Sequence, residues 1–168
     1  MAIKIGDAIP NGELKETTEF DSASGCPLGP KPVSIAEATQ GKRVVVFAVP
    51  GAFTPTCSMK HLPGYLDSYD QFKAKKVDEI WCVATNDAFV MAAWGRDQKS
   101  LGKIRMLADP GAWTQALGLE LDLAAIGLGK RSQRYSMLLE NGVVKQLNVE
   151  QGGKFEVSDA GTMLKQLG

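Results

Sequence analysis

The chain has 168 residues, 44% of them apolar and 23% charged, which fits one soluble globular domain spanning 1–168 and excludes wholesale disorder. Its 19 basic side chains balance its 19 acidic ones, so neither nucleic acid nor an anionic lipid surface is an expected partner. The longest strongly apolar run, Val44 to Val49, has six residues, against about twenty for a membrane span and about seven for a secretory core. Nothing near Met1 reads as a signal or transit segment, and a cytoplasmic location is expected, or an organelle matrix if a transit peptide has been removed.

The first thirty-three residues are loop-rich. Pro10-Asn11-Gly12 and the stretch Gly25 to Pro32 block regular helix, and Glu13 to Phe20 between them reads as a weak, edge-like strand. Arg43 to Ala48 is continuous and β-branched, a buried strand, closed by a turn at Pro50-Gly51. Thr54-Pro55 then opens a helix, with Thr54 as N-cap and Pro55 at the first helical position. Pro63-Gly64 should break or kink it, after which Tyr65, Leu66, Tyr69 and Phe72 share one face. Glu79 to Ala84 is a second buried strand. Asn86-Asp87 caps a helix with Phe89, Val90, Ala93 and Trp94 on one side. Ile104 to Ala108 is a third strand, followed by a turn at Asp109-Pro110-Gly111. Asn141-Gly142 joins Tyr135–Glu140 to Val143–Val149 in a hairpin, since both turn residues tolerate positive φ. A last helix behind a cap at Ser158 carries Ala160, Met163, Leu164 and Leu167 on one face. The order predicts an α/β fold: a mixed central sheet with helices on both faces, a C-terminal antiparallel hairpin and a closing helix. The helix at Thr54 starts at the C-terminal end of a buried strand, where open α/β sheets build their sites.

Three cysteines, Cys26, Cys57 and Cys82, and one histidine form no CxxC and no paired metal-ligand set, so neither a zinc site nor a secreted disulfide framework is expected. Free thiols in a reducing compartment remain. Cys57 would be the third helical residue, beside N–H groups that lack intrahelical acceptors and carry partial positive charge. A thiolate is stabilised there. A free thiol with a pKa of about 8.5 is only ~3% thiolate at pH 7, so full ionisation gains about thirtyfold at most. Transition-state stabilisation must supply the rest of any efficient catalysis. Position alone also leaves Cys57 open as a small buried hydrophobe. His61, four residues on, suggests a Cys–His hydrolase pair, but Pro63 disturbs that helix end and no Asn or Asp orients the ring, so a surface or helix-end role is expected. Lys130, Arg131 and Arg134 form a basic cluster; Arg134, at a strand edge, can deliver a guanidinium to an anionic sulfur or a polarised oxygen. Gly127 to Lys130 is no phosphate loop, because Ala124 and Arg131 occupy positions that need Gly and Ser or Thr. Cys82 reads as an inert core thiol and Cys26 as incidental.

The segment Val49-Pro50-Gly51-Ala52-Phe53-Thr54-Pro55-Thr56-Cys57-Ser58 resembles the active-site segment of the peroxiredoxins, most closely the peroxiredoxin 5 subfamily with its plant type II enzymes and bacterial relatives. The likeness continues through His61 to Gly64, Val83 to Val90, Leu107 to Asp109, Leu117 to Asp122 and Arg131 to Met137. It implies a thioredoxin-like fold, a homodimer, and thiol-based reduction of hydrogen peroxide and alkyl hydroperoxides without metal, haem or flavin. Residue by residue it implies Cys57 as the peroxidatic cysteine, Thr54 as the hydroxyl on the peroxide, Pro50 as the shield over the sulfur and Arg134 as the active-site arginine, with Arg131 out of register for that role. Animal members carry a resolving cysteine near the C-terminus, and this chain has none after Cys82. Cys82 matches the second cysteine of the plant enzymes and is the candidate resolving residue, but a rigid strand would have to move to deliver it. Regeneration by glutathione and glutaredoxin is therefore expected, with thioredoxin acting through a Cys57–Cys82 disulfide as the alternative. A non-catalytic redox sensor or holdase is the rival from another class.

Overall fold

The computed structural model describes residues 1–168. A seven-stranded sheet runs in the order β2-β1-β5-β4-β3-β8-β9, with β1 Glu13–Glu16, β2 Lys31–Ser34, β3 Arg43–Ala48, β4 Glu79–Ala84, β5 Ile104–Ala108, β8 Tyr135–Glu140 and β9 Val143–Val149. The inner strands β3, β4 and β5 pair in parallel, and the flanking pairs are antiparallel. Side chains alternate across the sheet. Val45, Phe47 and Cys82 join one core layer of 21 buried residues, while Val44, Val46, Ala48 and Trp81 join another of 17. Layers of similar size on both faces explain why the inner strands read as unbroken apolar runs. The fold is the expected mixed α/β, thioredoxin-like one. Its C-terminal hairpin turns at Asn141 (φ 48°) and Gly142 (φ 75°).

Local details depart from the expectation. β1 is shorter than Glu13–Phe20 and lies inside the sheet, because Lys31–Ser34 forms the edge strand despite Pro32. An edge tolerates a residue that cannot donate. Helix α1 (Ile35–Thr39) and the short β6–β7 pair (Glu120–Leu123, Gly129–Ser132) add to the predicted elements. So does α5 (Ala112–Leu117), whose start is held by the buried Asp109 carboxylate, which accepts from the Gly111, Trp113 and Thr114 N–H groups. Helix α4 (Ala88–Asp97) is capped by Asp87 as expected, but it buries Ala88, Met91, Ala92, Trp94 and Gly95 and leaves Phe89 45% exposed. Helix α6 (Ala160–Leu167) is capped by Asp159, which accepts from Thr162 N–H, and not by Ser158.

The segment after β3 differs most. Pro55 and Thr56 begin a helix, Cys57–His61 forms a π-helical turn, and α2 (Leu62–Asp67) continues straight through Pro63-Gly64. The interruption falls at Ser68, before α3 (Tyr69–Ala74). In the π turn the Leu62 N–H reaches back five residues to the Cys57 carbonyl. This register shift comes just before Pro63, where the missing N–H would leave an α-helical row one bond short.

Candidate active site

Register between two strands assembles the site. Ala48 pairs with Tyr135, so Arg134, one residue before β8, stands beside the exit of β3, from which the chain passes through Pro50 to Cys57. Arg134 Nη2 donates to Cys57 Sγ at 3.1 Å, and Nη1 contacts His61 Nδ1 at 2.9 Å. A single guanidinium thus spans the sulfur and the imidazole, with one planar edge on each. Cys57 has no exposed surface.

His61 is wholly buried, contrary to the surface or helix-end role expected of it. The reason is the π turn, which carries it inward against Phe47, Tyr65 and Phe155. Its Nε2 lies 3.0 Å from the Ser158 carbonyl, which also accepts from the Tyr65 hydroxyl. A carbonyl only accepts, so Nε2 carries the proton and Nδ1 is left to accept from Arg134. Burial, and then the Arg134 charge, lower the His61 pKa to about 3, so the ring is neutral near pH 7. Both ring nitrogens are engaged, and Arg134 occupies the nitrogen that a Cys–His hydrolase would turn to its nucleophile. The hydrolase reading has no free base here.

The loop Pro50–Thr54 is tied down from three sides. Arg131 Nη1 donates to the Pro50 carbonyl at 3.1 Å, and its Nε donates to Leu128. Ala52 N–H donates to Asn86 Oδ1 at 2.8 Å. The Thr54 hydroxyl donates to the Gly51 carbonyl at 2.7 Å. Thr54 therefore does not cap the helix with its side chain. Its backbone carbonyl accepts the first helical bond, from Ser58 N–H. With its proton committed to Gly51, the hydroxyl oxygen keeps lone pairs free to accept. Phe53, at φ 59°, makes the tight turn into the helix.

Cys82 lies in β4, opposite Phe47 of β3 and in the same core layer as Cys57. Burial, reinforced by the neighbouring Cys57 charge, pushes its thiol well above the ordinary cysteine range. Cys26 is exposed, and all three thiols are free. The structure thus brings Cys57, Arg134 and the Thr54 loop together and keeps Cys82 inside the central sheet. Sequence reasoning passed over His61, Arg131 and Asn86 as working parts. Arg131 stood in the basic cluster and His61 at helical spacing from Cys57, whereas Asn86 was marked only by its place before a helix and within the Val83 to Val90 segment of the family likeness.

A family model described as Redoxin matches residues 4–164. The chain is 49% identical to "Peroxiredoxin-2E-2, chloroplastic" of Oryza sativa subsp. japonica, covering 98% of this chain and 72% of that protein. Among solved structures, reduced Prx3 of Vibrio vulnificus in complex with H2O2 superposes with a TM-score of 0.90 at 50% identity, covering 99% of both chains. Peroxiredoxin 5 of Alvinella pompejana gives 0.82 at 36% identity, covering 98% of this chain and 97% of that one.

Proposed function

From the premise that the chain belongs to the peroxiredoxin family and is a thiol peroxidase, we propose that Cys57 is its peroxidatic sulfur and that glutathione with glutaredoxin regenerates it. The observation that carries the reading is the 3.1 Å contact from Arg134 Nη2 to Cys57 Sγ. The Cys57 thiolate attacks the terminal oxygen of ROOH in line; the S–O bond forms as the O–O bond breaks. Sulfur is oxidised to sulfenic acid, the peroxide is reduced, and RO⁻ leaves and takes a proton from water. Hydroxide and alkoxide are poor leaving groups, so the charge on the departing oxygen has to be met by donors already in place. Arg134 is held there by His61 before substrate arrives. Thr54, its own proton given to Gly51, accepts from the peroxide O–H and so selects the oxygen that faces sulfur. Pro50 has no N–H to draw water toward the thiolate. The chemistry draws on sulfur and fixed donors, with no metal, haem or flavin.

Regeneration begins when a glutathione thiol attacks the sulfenic sulfur, forming a mixed disulfide and releasing water. Glutaredoxin then removes the glutathionyl group. Two observations on Cys82 support an external thiol: it sits in the innermost strand of the sheet, and its own thiol is held protonated. The thioredoxin route through a Cys57–Cys82 disulfide has one observation in its favour, the shared core layer of the two sulfurs.

The family resemblance also suggests a homodimer, and the exposed Phe53, Met59 and Phe89 near the site are side chains a partner copy would cover. We place the enzyme in a reducing compartment, the cytoplasm or an organelle matrix; no helix is long and apolar enough to cross a membrane.

The test is stopped-flow oxidation of wild type, Cys57→Ser and Cys82→Ser by peroxide, followed by steady-state cycling with each reductant. Cys57→Ser should lose all peroxide reduction. Cys82→Ser should turn over within about twofold of wild type with glutathione and glutaredoxin, as expected for a side chain outside the reacting set. A large loss in Cys82→Ser would replace glutathione with the intramolecular disulfide. A single oxidation without further turnover would make the protein a redox sensor.

A further inference from the structure

Beyond β9 the chain leaves the sheet at Glu150 and returns to the core at Ser158, eight residues later. The Glu150 carboxylate holds this strap shut. Its Oε2 accepts from the N–H groups of Glu156 (3.0 Å), Val157 (2.9 Å) and Ser158 (2.8 Å) and from the Ser158 hydroxyl (2.7 Å). Its Oε1 also accepts from Glu156 N–H at 3.0 Å. Between these ends, Gln151 to Lys154 are exposed, Gly152 and Gly153 adopt positive φ, and the only internal backbone bond is Lys154 N–H to Gln151.

The strap reaches the active site at two points. The Ser158 carbonyl accepts from His61 Nε2 and from the Tyr65 hydroxyl. The Phe155 ring lies 5.0 Å from the His61 ring and 5.9 Å from the Arg134 guanidinium carbon. Glu150 is also bonded to the arginine directly, since its N–H donates to the Arg134 carbonyl at 2.9 Å. One residue therefore grips Arg134 by its backbone and, through Ser158 and His61, by its side chain.

We propose that Glu150 is a positioning residue for peroxide reduction: by closing the strap it fixes the Ser158 carbonyl, which fixes the tautomer and orientation of His61, which aims Arg134 at the Cys57 sulfur. The proposal rests on the reading of Cys57 and Arg134 as the reacting pair. A fan of donors onto one carboxylate oxygen makes the device stiff, because loss of that oxygen leaves three N–H groups and a hydroxyl to find new acceptors together. The charged groups acting on His61 are Arg134, Glu150 and Asp159, so a change in Glu150 can be read at the ring against a short list of other influences.

His61 is the only histidine in the chain, so nitrogen NMR of imidazole-labelled protein reports this ring and nothing else. The test compares wild type, Glu150→Gln, Glu150→Asp and Glu150→Ala by this spectrum and by stopped-flow oxidation of Cys57. Gln keeps an oxygen at the position of Oε2. It should retain the fixed Nε2–H tautomer and oxidise within about threefold of wild type. Ala removes the acceptor; the ring should lose its single tautomer, and oxidation should slow by about tenfold or more, as for other displacements of a reacting group. Asp keeps the charge but not the reach, so it should follow Ala, and it serves as the test if Glu150→Ala fails to fold. Wild-type tautomer and rate in Glu150→Asp or Glu150→Ala would overturn the proposal, as would a lower melting temperature alone. If wild-type Cys57 is not oxidised by peroxide, the functional reading fails by itself, while the spectra still decide whether Glu150 sets the ring.

Discussion

Cys57 and Cys82 occupy the same core layer, and neither exposes any surface. Around Cys82 the neighbours are strands β3 and β5, and burial, reinforced by the Cys57 charge, raises the thiol. Around Cys57 the chain has left the sheet, and the end of the adjacent β8 supplies a guanidinium at 3.1 Å. Depth is the same and chemistry is not, because one sulfur has a cationic donor fixed against it. A third thiol, Cys26, is exposed and has no such neighbour among its hydrogen bonds. On this comparison reactivity should follow the neighbour and not the exposure.

The largest effect should come from making the two buried sites alike. Arg134→Met keeps an unbranched stem and removes the donor. It should slow peroxide oxidation of Cys57 by roughly a hundredfold to a thousandfold, the range seen when one donor to developing oxyanion charge is lost. A loss of less than about threefold would mean that the helix end and not the arginine carries the charge.

A smaller effect, on stability, sharpens the account of what holds Arg134. The folded His61 pKa of about 3 lies below the unfolded value of 6.5. Above pH 6.5 the ring is neutral in both states and the folded form has its full stability. As pH falls from 6.5 toward 3, the unfolded chain binds a proton that the folded chain refuses, so stability drops. Glu79 adds a second acid limb lower down: burial raises its pKa, but hydrogen bonds from Lys42, Arg105 and Trp81 outweigh this and bring it to about 2 from 4.5. Thermal melting followed between pH 6.5 and 4.5 should therefore show a fall that belongs to the histidine, and His61→Gln should flatten it. A melting temperature that does not move over that interval would show that the ring titrates freely.

How much of this was legible in the sequence depended on distance along the chain. The strands at Val44 and Val83, the Asn141-Gly142 hairpin and the Asp87 cap rest on short-range patterns, and they stand as read. Helix α5 was hidden because its Pro-Gly start looks like a plain turn until Asp109 is seen to hold the N–H groups beyond it. Ser158 was read as a cap, whereas Asp159 does that work and Ser158 instead joins Glu150 to His61. Arg134 lies 77 residues from Cys57, and Ser158 lies 97 from His61. No periodicity encodes such pairs. Arg134 stood out by its place at a strand edge, and the family resemblance gave it its role, whereas the His61–Ser158–Glu150 connection exists only in the folded chain.

The most direct test of the central claim uses the three thiols of one molecule against each other. Folded wild-type protein is given less than one equivalent of hydrogen peroxide in the presence of a sulfenic-acid trap, and the labelled cysteine is found by peptide mass spectrometry. The label should fall on Cys57 and leave the exposed Cys26 and the buried Cys82 untouched. Label concentrated on Cys26 would contradict the account, since exposure and not the fixed guanidinium would then decide which sulfur reacts.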